Sequence, residues 1–289
     1  MTEITQPEYL TVRELADLLR IKERKVYDLA GSGQVPCSKV TGKLLFPARE
    51  VRAWIAAGAL DAGAPPSVRP AVFLGSHDPL LDWALRQAQT ALATYFDGSG
   101  DGLTRFAAGE GVATGLHLFE DGAWNVAAAQ RSGAQNAVLI GFAKRTRGLA
   151  LSPDSSVQRL ADIPGRRIVP RQGGSGTESV FDHLLSEAGL ERGALDLAPP
   201  ALSESDAVTA VQQGAAEVTF GLGALAAAHG LRFVPLIEER FDLLIDRKAY
   251  FDPGLQRFFA FCRGQDFRDH ADRLGGYDVS ETGAVRWNG

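Results

Sequence analysis

Long apolar runs are missing from this sequence, and cysteine is nearly so. No segment approaches the ~20 consecutive apolar residues that a membrane helix requires. The two cysteines, Cys37 and Cys262, lie far apart in unlike contexts. They form no Cys-x-x-Cys pair, so neither a disulfide framework nor a thiolate metal site is expected. The five histidines show no metal-ligand spacing, which predicts no metal site. The opening MTEITQPEYLTVREL lacks a basic stretch followed by an apolar one. That argues against an export signal and predicts a cytoplasmic protein.

Several spelled motifs are lacking too. The glycine-rich stretch RIVPRQGGSGTESVFDHLL has Gly176-Thr177-Glu178 where a P-loop needs lysine. A dinucleotide fingerprint begun at Gly174 meets Ser179 at its sixth place, and a nucleophile elbow around Ser175 ends on Thr177 instead of glycine. DGSGDG alternates Asp97, Ser99 and Asp101 like a calcium loop, but its twelfth position is Ala108 rather than a bidentate glutamate. No cofactor is expected.

What is present is a charge asymmetry. The chain has 289 residues and a net charge of −5, enough length for two or three cores. Residues 1–60 hold 9 Lys/Arg against 7 Asp/Glu, a net +2, which leaves −7 for the remainder. A basic head on an acidic body predicts a polyanion partner for the head alone. AAGALDAGAPPSVRPAV is rich in Ala, Gly and Pro without apolar periodicity and predicts a linker at about 58–70. The expected division is therefore 1–57, the linker, and 71–289. In that last segment short apolar runs alternate with helical patterns, which predicts α/β architecture with mainly parallel sheet. Two longer apolar strands, 137–152 and 232–246, hint at two lobes joined by two crossings. The lobes would comprise about 71–147 with 243–289, and about 148–242.

In the head, Thr11 is placed as an N-cap with Glu14 as its capping-box partner. Leu15, Leu18 and Leu19 make one apolar face. A break at Arg20–Lys22 precedes a second helix with Val26 and Leu29 inward. CSKVTGKLLF reads as a hairpin with Thr41-Gly42 at its tip, and PAREVRAWIAAG as a third helix with Pro47 in its first turn. Helix, tight turn, helix, wing and helix is a layout that reads double-stranded DNA, the second helix entering the major groove. Lys22, Arg24, Lys25 and Tyr27 lie off the apolar face, and Lys39 and Lys43 flank the hairpin tip. The segment resembles the excisionase/MerR-like winged helix-turn-helix family through LTVRELADLL, VYDLAGSGQVP, KVTGKLLF and VRAWI. Glu23 and Arg24 stand where that family often has Ser or Thr, so no base preference transfers. A small helical protein-interaction module with a solvated basic face is the competing reading.

In the body, RQGGSGTES sets backbone donors and the hydroxyls of Ser175 and Thr177 at a helix start, where the dipole favours an anion. One such place is by itself only a helix cap. The arrangement recurs, however, at Ser76 in VFLGSHDPLLDWAL and at Ser99 in TYFDGSGDGLTRF. With RTRGLALS and AVTAVQQGAAEVTFGLGALAAAHGLRFVPLIEERFDLLI, these stretches resemble the type II periplasmic-binding-protein-like domain, similar to molybdate-binding proteins, fused behind a helix-turn-helix in bacterial regulators. The resemblance covers nearly all of 71–262. It implies a cleft between two lobes lined by Ser76 and Ser99 on one side. Ser175, Gly176 and Thr177 face them, with Ser205 and Phe220 or Gly221 from later loops. His117 is a further candidate by the same resemblance, against a histidine simply hydrogen-bonded at a strand end. One departure stands out: Glu178 replaces an Arg common after G-S-G-T, so Arg171 is the expected positive charge.

The leading reading is a one-component transcription regulator. Its body senses a small anion, an oxyanion such as molybdate or tungstate, and its head binds DNA as a homodimer or higher oligomer. A small organic or pterin-type ligand is the alternative. No catalytic residue is assigned. An enzyme on this fold would draw on Asp78, His117 or Glu178, and no nucleophile with its base accompanies them. A solute-capture protein would not need the basic head.

Overall fold

The computed structural model describes residues 8–40, 42–57 and 69–289. Residues 58–68 of the expected linker, and Thr41 of the expected turn, lie outside that set. The chain separates into two compact units, Met1–Ser67 and Val68–Gly289.

The first unit begins with β1 (Tyr9–Leu10), α1 (Val12–Leu19) and α2 (Glu23–Gly31), followed by β2 (Ser38–Val40), β3 (Lys43–Pro47) and α3 (Ala48–Ala57). Thr11 caps α1: its hydroxyl accepts from the Glu14 amide while the Glu14 carboxylate accepts from the Thr11 amide at 2.8 Å. Such a reciprocal cap contributes on the order of 1 kcal/mol. Arg20 ends the helix with φ 55°, and three residues then turn the chain into α2. The strands order as β1-β3-β2, with Val40 opposite Lys43 across the hairpin. The core joins Leu15, Ala16, Val26, Val35, Phe46 and Val51. Two expectations are corrected. Leu18 is 49% exposed because the buried stripe of α1 runs through Leu15, Ala16 and Leu19. Pro47 ends β3 opposite Tyr9 instead of opening α3, a place where its fixed φ suits extended chain.

In the second unit, β4 (Val72–Gly75), α4 (Pro79–Gln87), β5 (Ala93–Tyr95), α5 (Ser99–Ala107) and β6 (Ala113–Leu116) come first. A short hairpin of β7 (Phe119–Glu120) and β8 (Ala123–Trp124) precedes α6 (Val126–Arg131) and the long β9 (Ala137–Leu151). Then follow β10 (Arg167–Val169), α7 (Gly176–Glu187), β11 (Asp196–Leu197), α8 (Glu204–Gln212), β12 (Val218–Leu222) and α9 (Gly223–Ala228). The long β13 (Arg232–Asp246) leads to α10 (Pro253–Cys262), α11 (Gln265–Leu274), β14 (Tyr277–Asp278) and β15 (Val285–Asn288).

The main sheet runs β11-β10-β12-β9-β13-β6-β4-β5. Its outer strands pair in parallel, as the alternating pattern predicts: β4 with β5 and β6, and β10 with β11 and β12. The middle differs from the expected parallel sheet. β9 and β13, 15 residues each, run antiparallel over their whole length and carry the chain between two lobes. One lobe is built on Phe73, Leu80, Phe142, Phe258 and their neighbours, the other on Leu149, Ile168, Phe181 and Phe220. β13 shifts register at Pro235/Ile237 and again at Phe241/Asp242. The hairpin residues Phe119 and Trp124 pack on the second cluster, Phe119 against His183 of α7. Trp124, within 71–147 in sequence, therefore packs on the second-lobe cluster.

Candidate functional site

Helix starts of both lobes open onto one cavity of about 90 Å³. From the first lobe, Ser76, His77, Phe96, Asp97, Gly98 and His117 line it. From the second come Arg171, Gln172, Ser175, Gly176, Thr177, Leu202, Ser203 and Glu204. Two glycines bring the first-lobe loops this close. Gly75 turns out of β4 at φ 100°, and Gly102 of α5 lies against the Gly75 backbone with no room for a Cβ. Ser76 and Ser99 then meet hydroxyl to hydroxyl at 2.8 Å, and the Ser99 oxygen accepts from the His117 amide at 3.0 Å. On the other side Ser175 caps α7, its hydroxyl accepting from the Glu178 amide at 3.2 Å. Gly176 fits because a Cβ there would sit 2.8 Å from the His117 carbonyl oxygen.

Beneath the cavity lies a cluster of buried charges. Arg145 and Arg147 alternate along β9 and are 1% and 0% exposed. Glu239 of β13 answers both: it accepts from Arg147 Nε and Nη2 at 2.8 Å each and is ion-paired with Arg145 Nη2. Arg145 Nη1 donates to Asp78 at 2.8 Å, and the Tyr277 hydroxyl donates to the same Asp78 oxygen at 2.7 Å. Arg147 Nη1 reaches Thr177 Oγ1 at 3.1 Å and Glu204 Oε1 at 2.9 Å, while the Thr177 hydroxyl donates to Glu204 Oε1 at 2.8 Å. Burial alone would raise both carboxyl pKa values, but the two guanidiniums outweigh it. Glu204 is held at about 2, and Glu239 well below the ordinary carboxylate value. His117 lies 3.3 Å from Glu239 through Nδ1, yet burial dominates and lowers its pKa, keeping the ring neutral.

Of the residues expected in the cleft, Ser76, His117, Arg171, Ser175, Gly176 and Thr177 come together around the cavity. Ser99 lies behind them, fully buried and tying Ser76 to the His117 amide. Three others do not line it either. Ser205 is exposed on α8, one residue past the side chain that does enter, because Ser203 takes the cap and Glu204 follows it. Phe220 stacks on Phe181 at 5.2 Å in the second-lobe core, and Gly221 is enclosed in β12. The Glu178 departure also resolves differently. Its carboxylate accepts from the Arg171 amide at 2.8 Å and pairs with Arg192, so it does not line the cavity. Glu204 is the acidic residue that does. The sequence reading missed it together with Arg145, Arg147 and Glu239, although RTR within an apolar strand signals two arginines on one face.

In the head, Lys22, Arg24, Lys25, Tyr27, Lys39 and Lys43 are all exposed. Tyr27, Lys39 and Lys43 line one groove between α2 and the hairpin, joined by Arg13, which the sequence reading omits. Lys22, Arg24 and Lys25 lie outside that groove.

Fold and cleft together define a two-lobed binding protein of type II periplasmic-binding-protein architecture carrying a helix-turn-helix. Residues 83–263 match the PBP superfamily domain, and residues 9–59 match a helix-turn-helix domain. The chain belongs to the PBP superfamily. It is 25% identical over 305 residues to the uncharacterized protein YvgK of Bacillus subtilis (strain 168), covering 95% of this chain and 96% of that one. Among solved structures it is similar to a Clostridium perfringens substrate-binding protein of phosphate-transporter type with bound phosphate. The TM-score is 0.54 at 12% identity, over 72% of this chain and 98% of that one. A cysteine-to-serine mutant of Corynebacterium glutamicum OxyR, bound to hydrogen peroxide, is similar with TM-score 0.50 at 12% identity, over 91% and 89% of the two chains. Among the described residues no helix is long and apolar enough to cross a membrane, and no group of three or more His, Cys, Asp or Glu could hold a metal ion.

Proposed function

We propose that this chain is a DNA-binding transcription regulator whose acidic body senses a small anion. The observation that carries the reading is the meeting of Ser76 and Thr177, from helix starts in opposite lobes, around one hollow. Helix-start amides and neutral hydroxyls suit a desolvated anion. Helix-start donors from both lobes around a hollow of about 90 Å³ suit a compact anion, an oxyanion such as molybdate or tungstate or a small carboxylate. Excisionase-like DNA reading by α2 and the hairpin completes the assignment, with paired heads on half-sites about one helical turn apart. Ligand drives the switch only by binding one lobe arrangement better than another. A non-enzymatic role is supported by the Ser76 hydroxyl, which meets Ser99 instead of a base, and by Asp78, which is fully engaged in structural bonds.

Two measurements test the reading. Fluorescence of Trp124, which spans the hairpin and the second lobe, should change on titration with molybdate, tungstate, sulfate or small carboxylates. Silence with all of them, and no thermal shift, removes the sensor. For the head, Arg24→Ala and Lys25→Ala should each weaken duplex binding and lower the slope of log affinity against log salt by about 0.9. An unchanged slope in both variants removes the DNA assignment.

A further inference from the structure

The cavity has charged walls but no surplus of positive charge. Around and beneath it Arg145, Arg147 and Arg171 face Asp78, Asp97, Glu204 and Glu239. Arg145 and Arg147 are already engaged by Asp78, Glu204 and Glu239, and Arg171 donates to the Ala201 carbonyl at 2.7 Å. Helix-start amides and hydroxyls would have to offset an incoming anion by themselves. One lining side chain is able to change its charge from inside this assembly. The His117 side chain is 5% exposed and stands between the cavity and Glu239, with Nδ1 3.3 Å from Glu239 Oε2 but without an aligned hydrogen bond. Of its two nitrogens only Nδ1 is both closed to solvent and unbonded, which leaves Nε2 open to the cavity that His117 lines. The ring is otherwise enclosed by the Phe241 ring, 6.0 Å away, and by the start of α7, where a Cβ on Gly176 would lie 2.9 Å from Cε1.

Without ligand the ring is neutral, since burial and the Arg145 and Arg147 guanidiniums oppose its charging. An anion in the cavity reverses that balance, because an imidazolium would then have negative charge on two sides, Glu239 inward and the ligand outward. The other histidine on the wall, His77, is 47% exposed, so solvent screens it. We infer that His117 is the charge-compensating residue of this cavity, taking a proton from solvent as an anion binds and releasing it when the anion leaves. The inference rests on the sensing role proposed above and gives it a pH dependence. By linkage, affinity for an anion of fixed charge rises as pH falls, by up to about tenfold per unit, while the bound ring titrates.

The test is calorimetry on the full chain from about pH 6 to about pH 8, with sulfate, molybdate and acetate as probes. Each is titrated in bis-Tris and in Tris, cationic buffers whose own protonation heats differ. Proton uptake makes the measured heat depend on the buffer, and binding should weaken at least about threefold per unit of rising pH. His117→Gln keeps a neutral polar side chain and should abolish both effects, while His77→Gln should retain them. If His117→Gln melts early, NMR of the histidine rings in wild type and His77→Gln decides. One imidazole must gain a proton in both proteins when the binding anion is added. Heats that ignore the buffer, or an uptake that disappears in His77→Gln, overturn the inference and leave anion sensing standing. Binding of none of the three anions overturns both.

Discussion

Glu239→Ala should destabilise the body by about 3–5 kcal/mol, the cost of stranding buried charge. Glu239 is fully buried and accepts from two arginines that are themselves buried. Removing it leaves Arg145 with Asp78 alone, and Arg147 with Glu204 and the Thr177 hydroxyl. The neighbouring residue provides the control. Glu238, one place earlier on β13, is 64% exposed and 3.9 Å from Lys144, so Glu238→Ala should change stability by less than about 1 kcal/mol. Urea unfolding of both variants checks the contrast, and equal effects would refute it. The loss should also depend on pH. The folded Glu239 pKa lies below its unfolded value, so its contribution is complete above about 4.5 and fades as pH falls through the folded value. The gap between wild type and Glu239→Ala should therefore narrow in acid, not in base.

Gly102→Ala should cost about 3 kcal/mol, at the upper end for overpacking, because the nearest obstacle is the Gly75 backbone. A Cβ there would overlap Gly75 Cα and lie 2.5 Å from Thr114 Oγ1 and 2.6 Å from the Gly75 amide nitrogen. The two Gly75 atoms are backbone and cannot swing aside as a flexible side chain would. The damage should reach the cleft, since relieving the clash moves the start of α5, where Ser99 holds Ser76 and the His117 amide. Gly100→Ala, two residues earlier on the same helix, has no atom within 4 Å of the new methyl. It should be neutral or stabilising by up to about 1 kcal/mol, following helix propensity. Thermal melts of the two variants, with fluorescence titration of any responding anion, separate the outcomes. A Gly102→Ala protein as stable as Gly100→Ala would contradict the packing.

Local rules make much of this molecule legible. The capping box at Thr11, the turn at Arg20–Lys22, the hairpin and the alternation of strand and helix are short-range signals, and each leaves its mark within a few residues. The glycine-rich start of α7 belongs with them. Its partner loops were visible for the same reason, as hydroxyls between a strand and a helix. The misses are long-range. Glu204 reaches the cavity because α8 starts beside α7, and the pairing of Arg147 with Glu239 joins residues 92 positions apart. The hydroxyl of Ser205 marks it as a candidate in sequence, but helix phase turns it to solvent one residue after Glu204 enters. Glu178 stands where an arginine is common, and its carboxylate serves its own loop by accepting from the Arg171 amide. Alternation alone placed two arginines on one face of β9 without saying that this face was interior.

The two register shifts in β13 fall on either side of Glu239, at Pro235/Ile237 and Phe241/Asp242. The ribbon joining the lobes is thus irregular in just the span that carries the buried charges. Two-stranded ribbons accommodate more twist than wide sheets, so a rotation of one lobe against its mate would wring this span and reset the guanidinium–carboxylate distances within it. If the lobes turn on this ribbon, the residues that bend and those that hold the buried charges are the same few. A substitution that regularises β13 should stiffen that ribbon, and, if the body senses an anion as proposed, alter the response from outside the cavity.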